Sequence, residues 1–491
     1  MISTALISVA ALVVPGALAV SLRQSLPGIP AGWSVSGTPS DSDSITLSVA
    51  LKQQNIDQLE SLLASVSEPS SPNYGKYYSA DQVNALFGPQ TASVDAVQNW
   101  ASKSGLTSGV GLSQAISIKT TVGNANAIFG ADFKYYKDES TGIEKLRTLS
   151  YSVPDEVSDH ISFVSPTTFF GRSTASDANL IERFSIDSFK RSQELTKRKT
   201  NCISYTAKGT PYLGPDCWKE VWNVTYVGDA STGSRIGFGS FLNESSIEAD
   251  LQLYEKKYNI PSQDFTVTTI NGGVNYQDPS YTTIGEANLD AQNIVGLGHP
   301  LPVSEFITGG APPFIPNLDE PTAADNSNEP YLDYYNYLLS QPNEALPQVI
   351  SNSYGDDEQT VPLAYAQHVC NQIGMMGLRG ITILESSGDT GVGAPCQSND
   401  GNKTPQFTPQ FPGTCPYITA VGGTQSIDPE VAWTGSSGGF SNYFARAWYQ
   451  ESAVETYLDN YINAAVKQYY TPYTNFSGRG FPDISAHSAN P

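Results

Sequence analysis

Bases are scarce in this chain. It has 26 Lys and Arg against 48 Asp and Glu, a net charge of -22 over 491 residues. Nucleic-acid binding needs the opposite sign, so that class of function is excluded. Long apolar runs are also missing. The longest, Ala5 to Val14, is too short to cross a bilayer, and no later stretch approaches 18 apolar residues. Only four His are present, widely spaced, and no Cys-x-x-Cys occurs, so a zinc site is not expected. There is no His-Gly-Thr motif, and His299, His368 and His487 are not placed like the base of a subtilisin.

The acid is unevenly spread. Residues 1–200 carry 16 basic and 18 acidic side chains, whereas residues 201–491 carry 10 and 30. Such a surface repels itself at neutral pH and relaxes as carboxylates protonate, which suits an acidic working environment. The chain is too long for one core, so at least two domains are expected.

The first apolar run is followed by Pro15-Gly16 and then Ala17-Leu18-Ala19, an A-x-A cleavage pattern. Residues 1–19 therefore read as a secretory signal, although no Lys or Arg precedes the run. Four glycosylation sequons, at Asn223, Asn243, Asn402 and Asn475, fit an exported glycoprotein. Export implies an oxidising compartment and disulfides. Of the five cysteines, the short-loop pairs Cys202–Cys217 and Cys396–Cys415 are expected, leaving Cys370 without a partner.

Residues 20–170 read as one α+β domain. "SITLSVALK" and "AISIKTTVG" alternate like strands, and "EKLRTLSYSVP" reads as one more. "NIDQLESLLASVS", "ASVDAVQNWASKSG" and "NANAIFGADF" have helical spacing. An open antiparallel sheet with helices on one face is predicted. Residues 171–200 form a polar linker with Lys190-Arg191 and Lys197-Arg198-Lys199, where processing proteases could cut. From residue 201 strands alternate with helices: "RIGFGSF", "FTVTTI", "PVSEFIT", "QVISNSYG", "ITILESSGD" and "YITAVGG" are the strands. That alternation predicts a parallel sheet covered on both faces, with function in the loops beyond the strand C-termini.

Those loops carry the candidate site. Ser351, Asn352, Ser353, Tyr354 and Gly355 leave one strand with groups suited to an extended peptide. Asp389 sits among glycines after the next, and Ser437, Gly438 and Gly439 form another small-residue loop. The helix "GEANLDAQNIVG" places Glu286 and Asp290 one turn apart on one face. Such a pair is either a chance feature of a solvated face or two carboxyls sharing a proton.

In this order, "GEANLDAQNIVGL", "ISNSYGDDE", "GLRGITILESSGDTGVG", "FPGTCPYITAVGGT", "SSGGFSNYF" and "RGFPDISA" resemble the sedolisin family of serine-carboxyl peptidases, which includes tripeptidyl-peptidases. "SPNYGKYYSADQV" and "LRTLSYSVPDEVSDHISFVSPTTFFG" resemble that family's activation domain. The resemblance implies a subtilisin-like peptidase domain over 201–491. Glu286 would be general base, Asp290 its orienting partner and Asp389 the acid at the oxyanion. It assigns Ser437, Gly438 and Gly439 to a substrate-side loop, and it makes the activation domain an intramolecular inhibitor until the linker is cut. The family's nucleophilic serine follows a segment like "PDISA", and its calcium ligands and the partner of Cys370 lie later still. The resemblance therefore implies a chain truncated before the nucleophile. Calcium is expected for a full-length member, with no ligands in these residues. As written, the chain would not hydrolyse peptides, and the alternative function is a binding or inhibitory remnant.

Overall fold

A computed structural model describes residues 20–168 and 204–488, apart from 27, 30–32, 111–113, 139–143, 206–210, 279, 281–283, 311–329, 394–395, 400–401 and 427–428. The expected signal peptide, the linker 171–200 and Cys202 lie outside the described residues.

Four antiparallel strands form the first sheet: β1 (Ser44–Leu51), β2 (Thr107–Val110), β3 (Ala115–Thr121) and β4 (Ile161–Ser165), in the order β2-β3-β1-β4. Alternate residues of β1 face inward, with Leu47 and Val49 fully buried, as period-2 patterning requires. Helices α1 (Leu59–Ser67), α2 (Ala80–Phe87), α3 (Thr91–Lys103) and α4 (Val122–Phe129) belong to the same domain. Helix α2 starts on a capping box between Ser79 and Gln82. The stretch predicted as one strand divides into Glu144–Arg147 and Ser150–Pro154.

The second domain is built on β5 (Ile236–Ser240), β6 (Phe265–Ile270), β7 (Val303–Thr308), β8 (Val349–Asn352), β9 (Thr382–Ser386) and β10 (Thr419–Gln425). They run parallel in the order β6-β7-β5-β8-β9-β10. Val431–Ala432 adds to β10 antiparallel, and Ile484–His487 adds parallel. Helices α5 (Glu248–Tyr258) and α6 (Gly285–Gly298) enclose a core with Phe238, Phe265 and Val303. Helices α7 (Tyr331–Ser340) and α8 (Leu363–Leu378) enclose another with Phe306, Ile350 and Ile383. Adjacent strand residues thus serve different cores, which makes the sheet two-faced and its strands nearly all apolar.

The two domains share a core. Leu59, Leu63, Val66, Val83 and Phe87 of α1 and α2 pack on Met375 and Leu378 of α8. Burying each large side chain stabilises by about 1.5–3 kcal/mol. Two glycines one turn apart permit the approach. A Cβ on Gly374 would lie 3.0 Å from Leu59, and one on Gly377 would lie 3.0 Å from Leu63. Polar contacts ring the seam. Trp448 Nε1 donates to Glu68 at 2.9 Å, Asn343 Nδ2 to the Tyr78 carbonyl at 3.0 Å, and Asn371 Nδ2 to Gln53 at 3.0 Å.

The cysteine pairing differs from the expected one. Cys415 is bonded to Cys370, not to Cys396. Both partners are buried, Cys370 on α8 and Cys415 in the loop packed beside it, whereas Cys396 is exposed. Short sequence separation was the wrong criterion, because α8 folds back over the sheet and brings the two Cα atoms to 5.6 Å. Cys370 accordingly needs no partner outside these residues. Cys217 is also disulfide-bonded. Thiol labelling of the native chain without reductant should modify Cys396 and be abolished by Cys396→Ser. Cys370→Ala should cost about 2–4 kcal/mol in denaturant unfolding, as expected for a crosslink spanning 45 residues. Labelling at Cys370 in the native protein would contradict the pairing.

Candidate active site

Helix α6 begins without a side-chain cap from Ile284. A carboxylate from elsewhere takes that role. Glu244, in the loop after β5, accepts from the Ala287 amide at 2.8 Å and also from the Glu286 amide. An anion there is favoured by the free N–H groups and the helix dipole. Glu244 is itself buried and receives the Tyr354 hydroxyl at 3.1 Å. Burial raises its pKa, against the opposing effect of those donors.

Glu286 and Asp290 project from the first turns of this capped helix. Asp290 is buried, and the Ser353 hydroxyl donates to its Oδ1 at 2.7 Å. Its Oδ2 is buried without a hydrogen-bond partner. Both carboxyls are held above the usual range. For Glu286 the largest cause is burial, followed by the charges of Asp290, Asp389 and Glu244, with Ser353 opposing. For Asp290 it is again burial, opposed by Ser353 and reinforced by Glu244 and Glu305. Two such groups share a proton more readily than both ionise.

Among the described residues no Lys, Arg or His is paired with the cluster. The ion pairs there lie elsewhere, at Lys52–Asp159, Lys134–Asp132, Arg446–Glu451 and Arg479–Asp483. Among the same residues no group of His, Cys, Asp and Glu is arranged to hold a metal ion.

Asp389 lies on the loop after β9. It is exposed at the surface, and what desolvation the neighbouring protein imposes raises its pKa. The loops around it are bolted together. The Thr390 amide donates to Ser437 Oγ at 3.0 Å, the Ser437 amide to the Gly388 carbonyl at 2.9 Å, and the Gly438 amide to the Gly391 carbonyl at 3.2 Å. Gly388 adopts φ +98°, which disfavours any other residue. Gly439 opens the strand Gly439–Ala445. That strand is anchored by Glu358, which receives the Asn442 amide at 2.7 Å and the Ser441 hydroxyl. Burial pushes Glu358 up to about 7.

The structure brings Glu286, Asp290, Ser353 and Tyr354 together, with the charge of Asp389 reaching Glu286. Other residues of the expected set have internal roles. Ser351 lies within β8. Asn352 points into the core, accepting from Tyr334 at 3.1 Å. Ser437 is buried as the bolt between loops. Gly355 permits close backbone approach, since a Cβ there would meet the Phe411 carbonyl at 2.9 Å. Asn223, Asn243, Asn402 and Asn475 are all exposed. A cavity of about 1100 Å³ lies away from the carboxyls, lined by Ile383, Tyr417, Trp448 and Phe481 among others.

Sequence reasoning missed Glu244, Glu305 and Glu358. Glu305 carried a signal, as a lone carboxylate inside the apolar strand "VSEFIT"; such residues are seldom buried without reason. Glu244 carried none, since it sits inside a sequon.

The family model for the Pro-kumamolisin activation domain matches residues 31–170. The tripeptidyl-peptidase sed4 of Aspergillus fumigatus is 55% identical over 471 residues, covering 96% of this chain and 77% of that protein. The tripeptidyl-peptidase SED2 of Arthroderma otae is 34% identical, covering 95% and 77%. Among solved structures, Pseudomonas sedolisin, a serine-carboxyl proteinase complexed with two molecules of pseudo-iodotyrostatin, aligns at 21% identity with a TM-score of 0.38, over 56% of this chain and 70% of that one. With an activation domain at its start and a 55% identical tripeptidyl-peptidase matched along three quarters of that relative's length, the chain belongs to the sedolisin family of serine-carboxyl peptidases.

Proposed function

We propose that this chain is the precursor of a secreted, acid-acting tripeptidyl-peptidase, in which Glu286 is the general base and Asp290 orients it. The observation that carries this reading is the carboxyl pair on the capped helix α6, Asp290 buried and Glu286 partly exposed beside it, with no cation paired to either among the described residues. A base must be ionised at the operating pH; burial and the neighbouring acids raise the pKa of Glu286, so its base form requires that the pair hold one proton between the two carboxyls rather than two. Asp389, on the loop after β9, would donate a hydrogen bond to the developing oxyanion while protonated, which its raised pKa favours. Among the described residues, Ser353 is the serine that meets the pair, and its hydroxyl donates to Asp290. The names of the relatives support release of tripeptides.

The activation domain is proposed to inhibit the enzyme until the linker 171–200 is cut, and the exposed asparagines 223, 243, 402 and 475 to carry glycans. Full-length members of the family would add calcium. N-terminal sequencing of secreted material should find a mature start within or just after 171–200. A start at Val20 alone would contradict processing.

In a full-length form, Glu286→Ala or Asp290→Ala should lower kcat by about 10²–10⁴, the range for a positioned acid or base. Asp389→Asn, which keeps a donor, should lose less than Asp389→Ala. Steady-state kinetics near pH 4 check both, and full activity of Glu286→Ala would overturn the assignment.

Stability should follow the same protons. Glu305 and Glu358 are fully buried and have folded pKa values of about 7, above the unfolded value of about 4.3. As pH rises between these values the unfolded chain loses its protons first. Their stabilisation is therefore complete below about pH 4 and is lost as pH approaches 7, at up to about 1.4 kcal/mol per retained proton per pH unit. Thermal melts should give a higher Tm at pH 4.5 than at pH 7.5. The reverse order would contradict the carboxyl assignments.

A further inference from the structure

Beneath the Glu286–Asp290 pair lies a third carboxyl to which no role has yet been given. Glu305 is in the middle of β7, fully buried, on the face turned toward α6 with Val303. Its Oε1 accepts the Ser240 hydroxyl at 2.7 Å and the Ser246 amide at 3.0 Å. Ser246 Oγ lies 3.3 Å from the same oxygen, but its single proton goes to the Ala287 carbonyl at the shorter 2.7 Å. Ala287 is the residue after Glu286. A continuous line therefore runs from the central sheet, through Glu305 and Ser246, to the turn that presents the pair. Next along the chain, the Ile247 amide donates to Asn288 at 2.8 Å and ties the same loop to the same turn.

The second oxygen decides the protonation state. Oε2 of Glu305 is buried and has no hydrogen-bond partner. An ionised carboxylate buried with one oxygen unserved is expensive, whereas a neutral acid with its proton on that oxygen is much less so. The groups that face it agree. Glu244 from the loop and Asp290 from α6 are both acidic. Phe238 and Val267, in register on the neighbouring strands, cannot ionise, and among the described residues no base is paired with it to compensate a charge. Burial pushes Glu305 up to about 7, against the Ser240 and Ser246 donors.

We propose that Glu305 is a positioning residue of the peptidase site, working as the neutral acid: through Ser246 it fixes the loop 241–247 and the turn carrying Glu286 and Asp290, and its ionisation loosens both. The proposal rests on the reading of Glu286 and Asp290 as the working pair. It makes Glu305 the group that sets the alkaline limit of the site's order. Glutamine is the matching isostere, because its carbonyl can replace Oε1 and its NH₂ can stand where the acid proton sits.

Hydrogen exchange on the full chain, corrected for intrinsic rates, tests this at pH 5 and pH 8 with wild type, Glu305→Gln, Glu305→Leu and Ser246→Ala. Protection of amides 244–247 and 286–290 should fall about tenfold in wild type at pH 8, where Glu305 is mostly ionised. Glu305→Gln should keep it within about twofold at both pH values. Glu305→Leu should lose it at both. Should Glu305→Leu fail to fold, Ser246→Ala cuts the same link and should loosen 286–290 already at pH 5. Parallel loss in wild type and Glu305→Gln, or unchanged protection in Ser246→Ala, would overturn the proposal. Exchange is read without turnover, so an error in the catalytic assignment would appear in the Glu286→Ala kinetics and not here.

Discussion

The candidate site depends on carboxyl groups packed together, with no cation paired to them among the described residues. Glu244 caps α6, Glu286 and Asp290 extend from it, and Glu305 supports it from the sheet. Burial would expel four charges of one sign, and the pKa of each is raised accordingly. At neutral pH the arrangement works against itself. In acid it becomes a set of mostly neutral hydrogen-bonding groups. The excess of acid in residues 201–491 is the same constraint at the scale of the domain.

The fold meets this constraint by dividing labour between the two sheet faces. The α7–α8 side is a dense aromatic core around Phe241, Tyr331, Tyr334 and Tyr335, and it receives the activation domain on α8. The α6 side carries the acids. The activation domain thus docks against a rigid apolar helix, with Gly374 and Gly377 opening room for Leu59 and Leu63. Its attachment is mainly apolar, while the carboxyl cluster lies on α6 and the loops after β5 and β8. Titration of the site can therefore proceed without directly dissolving the docking core.

Much of this was legible in the sequence, and the reasons differ by element. The strand "PVSEFIT" and the helix "PLAYAQHVCNQIGMMGLRG" were visible because buried parallel strands are mostly apolar and helices keep their period, and "FTVTTI", an edge strand, by its β-branched residues; Gly380, at φ +78°, ends α8 as its position suggested. The one-turn spacing of Glu286 and Asp290 drew notice but left chance and chemistry open, and only the resemblance assigned them roles. The partners that give them meaning were not visible, because Glu244 and Ser353 reach the pair across 42 and 63 residues of chain through tertiary contacts. Cys370–Cys415 failed for the same reason, since loop length says nothing of what a helix crossing brings together. Asn352 shows the converse: it has the chemistry of a ligand-binding residue, yet the strand pleat turns it inward to Tyr334.

The central claim is that Glu286 and Asp290 are a coupled pair sharing protons above the ordinary carboxylate range. Carboxyl ¹³C NMR of the chain labelled at Asp and Glu side chains, with Glu286→Gln and Asp290→Asn for assignment, tests it directly. The account predicts that both resonances titrate well above the range of solvated carboxylates, in two linked steps, and that replacing either residue lowers the titration of the other. Independent titration of both near pH 4 would contradict it.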